Sequence, residues 1–344
     1  MSEKKVSIEQ ILDAFERFGS CRKAAQFLNV NAAGMQRRLN AYWAKNKDEP
    51  KQKHYEIAPL PEDDIPIEQL IEHRKRQFQH KRNHEEASKL IPVKIKIDGP
   101  IGIWLAGDPH VDDDGTDLGA LQAHSELVNR TDGMFAANVG DTTNNWVGRL
   151  ARLYGEQSTS AAQAWRIAEW FITEQKKWLW IIGGNHDAWS GSGDPIKWIT
   201  RQQGTLYKSS EARLALSFPN GLNVRINSRH DHSGSSIWNP AHGPMKAAIM
   251  GTRDHLYVAG HQHTSAYSQL KDPIAGIVMH TLRVSSYKTY DRYAKERGFR
   301  DNTFSPCAVA VINTRLPDTH PDLIKIFWSP TEGADYLTWL RKRR

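Results

Sequence analysis

The sequence predicts a layered α/β domain, with sheet packed on sheet and helices outside, preceded by a small all-helical module. Three observations carry this. From about residue 95 onward, short apolar runs alternate with helical segments. Five of those runs end in clusters of Gly, Asp, Asn or His. The first 45 residues instead repeat apolar positions at helical spacing. A chain of 344 residues exceeds the common single-domain size, so two domains, or one with extensions, is the expectation.

The N-terminal stretch reads as three short helices. Ile8, Ile11, Leu12 and Phe15 recur at helical spacing, and Gly19-Ser20 breaks the pattern. Ser20 can cap a second helix carrying Ala24, Ala25 and Leu28. After the turn Asn29-Val30-Asn31, Asn31 can cap a third helix with Met35, Leu39 and Trp43. This order resembles helix-turn-helix DNA-binding modules, which implies a third helix in the major groove with Gln36, Arg37 and Arg38 facing bases or phosphates. A helical bundle used for protein contacts or assembly is the plainer reading of the same pattern.

Residues 1–45 are assigned to this module and 46–94 to a charged linker and helix. Residues 44–66 are rich in Lys, Glu, Asp and Pro, as a linker would be. The charged helix that follows, about Ile67 to Leu90, intersperses acids among its basic residues, which suits a solvated or self-packing helix better than a DNA-binding one. The α/β domain is placed at 95–335. Its buried strands are expected at 101–106, 134–139 and 178–182, with helices at 117–130 and 158–176 between them. Further strands are expected at 223–228, 255–259, 276–287, 307–313 and 323–328. A basic tail, 336–344, ends in Arg341-Lys342-Arg343-Arg344 and is expected to be solvated.

The polar clusters sit at the C-terminal ends of these strands. Asp108 and His110 follow the first, Asp141 the second, and Asn185, His186 and Asp187 the third. His230 ends the run from Asn223, and Gly260-His261-Gln262-His263 ends the run from His255. Loops at that end are where α/β sheets build sites, and glycine permits the sharp turns they need. Any one of these residues has a structural explanation, since Asp108 before Pro109 could simply start a turn and one of His261 and His263 could face solvent. Five such clusters together are not explained that way. Imidazole and carboxylate suit a pair of divalent cations, which can clamp a phosphate and lower the pKa of a water, while a free histidine protonates the departing oxygen.

The ordered set Asp-x-His, Gly-Asp-x-x-Asn, Gly-Asn-His-Asp, His and Gly-His-x-His resembles the calcineurin-like metallophosphoesterase superfamily, over roughly residues 100 to 290. The resemblance implies a four-layer αββα sandwich with a dinuclear centre, Mn²⁺ being the first expectation and Fe, Zn or Mg the alternatives. It implies Asp108, His110 and His263 on one ion, Asn185, His230 and His261 on the other, and Asp141 bridging them. His186 would be the general acid, with Asp187 beside it as a second catalytic candidate. Two departures stand out. Asn144 occupies a position where many relatives carry an acid, so its side chain cannot orient His186 as a carboxylate. Arg229-His230-Asp231-His232 offers two histidines, of which His230 is nearer the strand end and His232 could face substrate.

The polar segment 233–243 could be a substrate-facing loop with Trp238 stacking on a base or sugar, or Trp238 could plug the loop onto the core. Lys246, Arg283 and Lys288 are candidate phosphate contacts, by charge alone. Cys21 and Cys307 are too few for a disulfide framework or a cysteine cage. No Gly-x-Ser-x-Gly elbow and no Gly-rich phosphate loop is present. No apolar run is long enough to span a bilayer and the opening residues lack a signal peptide's apolar core, so a cytoplasmic protein without a membrane partner is the expectation. The net charge of +7 mildly favours an anionic partner. The leading expectation is therefore a nuclease or other phosphodiesterase acting on DNA through a metal-bridging hydroxide. A small helical module followed by such a domain also resembles proteins carried by bacteriophages, where the host cytoplasm would be the location. A phosphatase or phosphodiesterase for small molecules, nucleotides or phosphoproteins is the alternative, and a DNA-binding regulator with a non-catalytic metal domain is a third.

Overall fold

A computed structural model of the chain describes residues 6–46, 58, 63–189, 193–290, 295 and 305–343. Most of the expected linker, 47–57 and 59–62, and the terminal Arg344 lie outside the described residues. Two compact units divide the chain, Met1–His73 and Arg74–Arg344. Among the described residues no helix is long and apolar enough to cross a membrane.

The first unit holds three short helices whose ends have local chemical causes. Helix α1 (Ile8–Phe18) starts with a reciprocal box between Ser7 and Gln10 and stops at Gly19, whose φ of 60° favours a residue without Cβ. Helix α2 (Cys21–Leu28) follows Ser20, whose side chain makes no capping bond, contrary to expectation. Helix α3 (Ala32–Lys45) begins where the Asn31 side chain accepts the amides of Ala33 and Gly34. Ile11, Ala14, Ala24, Ala25, Met35 and Leu39 close the core. Trp43 lies at its margin, edge-on to Phe15 with centroids 5.3 Å apart. Helix α4 (Ile67–Ser88) buries none of its residues, as a solvated charged helix would.

Two six-stranded sheets form the second unit. Sheet I contains β1 (Ile91–Lys94), β6 (Glu211–Ser217), β7 (Asn223–Arg229), β8 (Leu256–Ala259), β9 (Ala266–Asp272) and β10 (Ile277–Arg283), in the order β1-β6-β7-β8-β10-β9. Sheet II contains β2 (Ile101–Ala106), β3 (Met134–Asn138), β4 (Trp178–Ile182), β5 (Tyr207–Lys208), β11 (Cys307–Ile312) and β12 (Ile324–Phe327), in the order β12-β11-β2-β3-β4-β5. Strands β2 to β5 run parallel, as do β7, β8 and β10.

Residue alternation along the strands explains the layers. Ile101, Ile103 and Leu105 of β2 point between the sheets, where they meet Leu214, Leu216, Ile226, Leu256 and Val258. Trp104 and Ala106 point the other way, toward α5 (Leu118–Arg130), α6 (Ala161–Glu174), α7 (Pro195–Gln203) and α9 (Pro330–Lys342). Helix α8 (His242–Met250) covers the outside of sheet I through Ala248 against Tyr257, Ile277 and Met279. The result is the expected helix-sheet-sheet-helix sandwich. Each wholly buried Leu or Ile in the central layer contributes about 1.5–3 kcal/mol. A polar bond also crosses that layer, from Trp180 Nε1 to Ser228 Oγ at 3.0 Å.

Three expectations need correction. Strand β1 enrols Ile91–Lys94 in sheet I, parallel to β6, although the sequence places those residues in the linker. Residues 336–342 are not a tail but the second half of α9, with Leu337 and Leu340 buried. Arg341 is correspondingly tied down, donating to Asp132 at 2.8 Å and to the carbonyls of Asp98 and Pro100. The segment 233–243 ends in α8 rather than continuing as loop.

Candidate metal centre

Every cluster singled out in the sequence follows a strand at the same edge of the sandwich. Asp108 and His110 follow β2, Asp141 follows β3, and Asn185 and His186 follow β4. His230 follows β7, and His261 and His263 follow β8. Five of these residues have left-handed backbones, with φ of 27° at Asp108, 39° at His110, 48° at Asp141, 69° at His261 and 49° at His263. That conformation is unfavourable for non-glycine residues, and such outliers gather at functional sites. Two motif glycines are required by close approach. A Cβ on Gly184 would overlap Asp141 Oδ1, and one on Gly140 (φ 120°) would overlap His230 Nδ1.

The side chains converge on Asp141. Its Oδ2 lies 3.2 Å from His230 Nε2 and 3.9 Å from both His110 Nε2 and His186 Nε2. On one side, His230 Nε2 faces Asn185 Oδ1 at 2.9 Å and His261 Nδ1 at 3.1 Å. On the other, His110 Nε2 faces His263 Nε2 at 3.3 Å, and His263 Nε2 is 3.7 Å from Asp108 Oδ2. Asp141, His230 and His261 offer ligand atoms that all lie within 4.8 Å of one another. Of the two histidines after β7, His230 joins the cluster. His232 is buried with its ring against Tyr257, centroids 5.9 Å apart, so it does not present itself to a substrate.

This donor set fits divalent cations. Two pairs of imidazole nitrogens face each other at 3.1 and 3.3 Å, where each nitrogen offers the other a lone pair unless a proton or a cation lies between. Asp108 Oδ1 is wholly buried and has no hydrogen-bond partner among the described residues. His230 Nδ1 bonds the Val139 carbonyl at 2.9 Å, which fixes the ring and turns Nε2 inward, as a ligating histidine requires.

The electrostatics state the same need. Burial alone would raise the Asp141 carboxyl, but the neighbouring imidazoles, His230 first, hold it well below the usual carboxylate range. Burial opposes a charge on His230, yet Asp141 outweighs it and pushes the imidazole up to about 10. Burial pushes Asp108 well above the carboxylate range and His110 well below the imidazole range. The pocket thus favours a positive charge beside Asp141 and penalises isolated charges elsewhere.

His186 is half-buried and aims Nε2 at Asp141. Its Nδ1 lies 2.6 Å from the backbone carbonyl of Asn144. The residue that cannot orient it by a side-chain carboxylate therefore does so by its main chain. The Asn144 side chain is engaged elsewhere, donating to Asp113 Oδ2 at 2.7 Å. Asp187, the second catalytic candidate, is wholly buried and accepts the amides of Gly184, Thr142 and Thr143. Burial, then the Asp141 charge, pushes its carboxyl up to about 7. Its geometry is that of a brace between the β3 and β4 loops rather than of a group facing substrate.

The remaining candidates are scattered. Trp238 is 88% exposed at a loop tip beside Ile237, so it does not plug the core. In the first unit Arg38 donates to the Val6 carbonyl at 2.8 Å, and Gln36 to Asn40 at 2.9 Å. Arg37 is exposed, with a 3.4 Å bond to the Ala33 carbonyl. Of the three cations singled out by charge, only Lys246 is exposed; Arg283 and Lys288 are buried. Sequence reasoning missed a wall beside His186. There Asp113 receives Asn144 and Lys288 Nζ (3.0 Å), and Trp146 stands edge-on to His186 with centroids 5.2 Å apart. The run Asp112-Asp113-Asp114 was its only signal.

No protein-family model matches this sequence, and no curated protein matches it. Among solved structures, the chain is similar to the NAD nucleotidase of Haemophilus influenzae at 8% identity and a TM-score of 0.37, over 66% of this chain and 49% of that one. The chain thus spans about half the length of that nucleotidase. It is similar to the calcineurin-like phosphoesterase YfkN of Bacillus subtilis at 12% identity and a TM-score of 0.37, over 71% of this chain and 99% of that one. A candidate diadenosine tetraphosphatase shares 13% identity at a TM-score of 0.27, over 70% of this chain and 97% of that one. At such TM-scores these likenesses bear no weight in assigning a function, which rests on the side chains themselves.

Proposed function

We propose that this chain is a metal-dependent phosphoesterase, with DNA phosphodiesters as its first substrate class. The observation that carries the reading is the convergence of seven donor side chains from five loops, Asp141 at their centre and His186 at their edge. Asp108, His110 and His263 would hold one divalent cation, Asn185, His230 and His261 another, and Asp141 both. Bound there, the cations would supply charge to neutralise phosphate oxygens and a water acidified enough to attack phosphorus. The chain's own contribution is positional. The Asn144 carbonyl fixes Nδ1 of His186, so that a proton would be gained and released at Nε2, the nitrogen that faces Asp141. Trp146 limits the ring's swing from the other side.

The DNA assignment is supported by the basic balance of the chain and by the three-helix order of residues 8–45. A specific observation favours the alternative of a smaller ester. Two of the three side chains expected to read DNA, Gln36 and Arg38, are bonded within their own module. The deciding experiment is Mn²⁺-dependent hydrolysis of end-labelled single- and double-stranded DNA, a small phosphodiester and a phosphomonoester, with Asp141→Asn as control. DNA cleavage lost in that variant supports the nuclease reading. Turnover of the small esters alone moves the substrate to the alternative, and no metal-dependent turnover of any of them overturns the enzyme reading.

A further inference from the structure

By charge alone Arg283 is a phosphate contact; its place in the fold assigns it differently. It ends β10, opposite Ala259 at the end of β8, and is wholly buried. Its Nη1 donates to the carbonyl of Gly260, the residue before His261. Its Nη2 donates to Asp231 Oδ1 at 2.9 Å, the residue after His230. Its Nε donates to the Pro240 carbonyl at 2.9 Å, where the loop bearing Ile237 and Trp238 returns to α8. One guanidinium therefore reaches three points on two loops, through one carboxylate and two carbonyls. Burying that charge is costly unless it is fully engaged, and only the planar fork of arginine can meet three acceptors in fixed directions.

We propose that Arg283 is a positioning residue that holds the His230 and His261 turns in register, so that both imidazoles face Asp141. The two turns already share one backbone bond, from the Gly260 amide to the His230 carbonyl at 3.0 Å. Arg283 adds a second tie from a third strand. Its hydrogen bonds are one-sided. His263 is held separately, its carbonyl accepting Ser285 Oγ at 2.7 Å, and the Asp108 and Asp141 turns receive no bond from Arg283. The consequence for cation binding rests on the metal-centre reading, whereas the brace itself belongs to the metal-free chain.

The test uses the full chain with Arg283→Lys, and Asp231→Asn as a milder second variant that keeps the arginine. Two measurements are made, hydrogen exchange of the metal-free protein and Mn²⁺ titration followed by electron paramagnetic resonance. In Arg283→Lys, exchange at 230–232 and 260–262 accelerates at least about tenfold while 108–112 and 141–145 keep wild-type rates. One of two Mn²⁺ ions then binds about 10–100-fold more weakly and the other is little changed, the range expected when a ligand's supporting partner is lost. Asp231→Asn gives the same pattern with smaller amplitude. Acceleration spread over the whole domain, no acceleration, or equal weakening of both ions overturns the proposal. Wild-type protein that takes up no Mn²⁺ while the local exchange pattern holds overturns the metal-centre reading and leaves the brace standing.

Discussion

The two sheets contribute chemically different halves to one site. All the oxygen donors, Asp108, Asp141 and Asn185, follow strands of sheet II, whereas sheet I supplies only imidazoles, His230, His261 and His263. Neither sheet holds a complete set, and His230 reaches across to Asn185 and Asp141. The donors meet only if the sheets pack in one register, so the apolar layer between them governs the site as directly as the loops do. Sheet II has its own internal brace, Asp187, and sheet I has Arg283.

This contrast can be broken from either side. The largest effect is expected at Asp187→Ala, which strands the buried amides of Gly184, Thr142 and Thr143. The expected cost is about 3 kcal/mol of stability by urea denaturation. A loss below about 1 kcal/mol would mean that the β3 and β4 loops hold without it.

Sheet I also carries histidines of another kind, away from the site. Burial pushes His255 and His280 down to about 4, from an ordinary 6.5. Between those values the unfolded chain binds the extra protons, so stability is full above pH 6.5 and falls as pH drops toward 4. We expect a loss of about 2–3 kcal/mol from each of the two across that window. His280→Gln should flatten the slope of stability against pH between 6.5 and 4, and an unchanged slope would remove His280 from the account.

Trp180→Phe deletes the side-chain bond that joins the sheets at Ser228. A cost of about 1–2 kcal/mol is expected, together with weaker Mn²⁺ binding, since Asn185 and His230 lie just beyond those two residues. Lost stability with unchanged metal affinity would show that register is set by apolar packing alone. The smallest effect is expected at Asn144→Ala. The bond to His186 is made by the backbone carbonyl, so kcat on a phosphodiester should fall by less than about fivefold. A loss of about a hundredfold or more would mean that the link from Asn144 to Asp113 positions the acid after all.

The parts legible in the sequence were those with undiluted signals. Strands β2, β3, β4, β8 and β11 are buried on both faces and read as continuous apolar runs. Strand β6 buries only Ala212, Leu214 and Leu216 between charged or small neighbours, and β9 lies at a sheet edge, so neither stood out. Helix α8 was hidden by the Gly243-Pro244 pair in its first turn. At the site, the residues that gather around Asp141 were legible because their spacing from strand ends is local. Arg283 and Asp187 were misread because residue type reveals charge but not what a side chain meets across the fold.

The left-handed backbones at Asp108, His110, Asp141, His261 and His263 carry a last consequence. Each costs the folded, metal-free chain about 1 kcal/mol or more, and glycine would relieve it. Selection of this protein for heat resistance without added metal would therefore reward replacement of the very residues proposed to hold the cations. Variants recovered that way would be sturdier and inert, and the positions at which they accumulate would trace the site without any knowledge of its substrate.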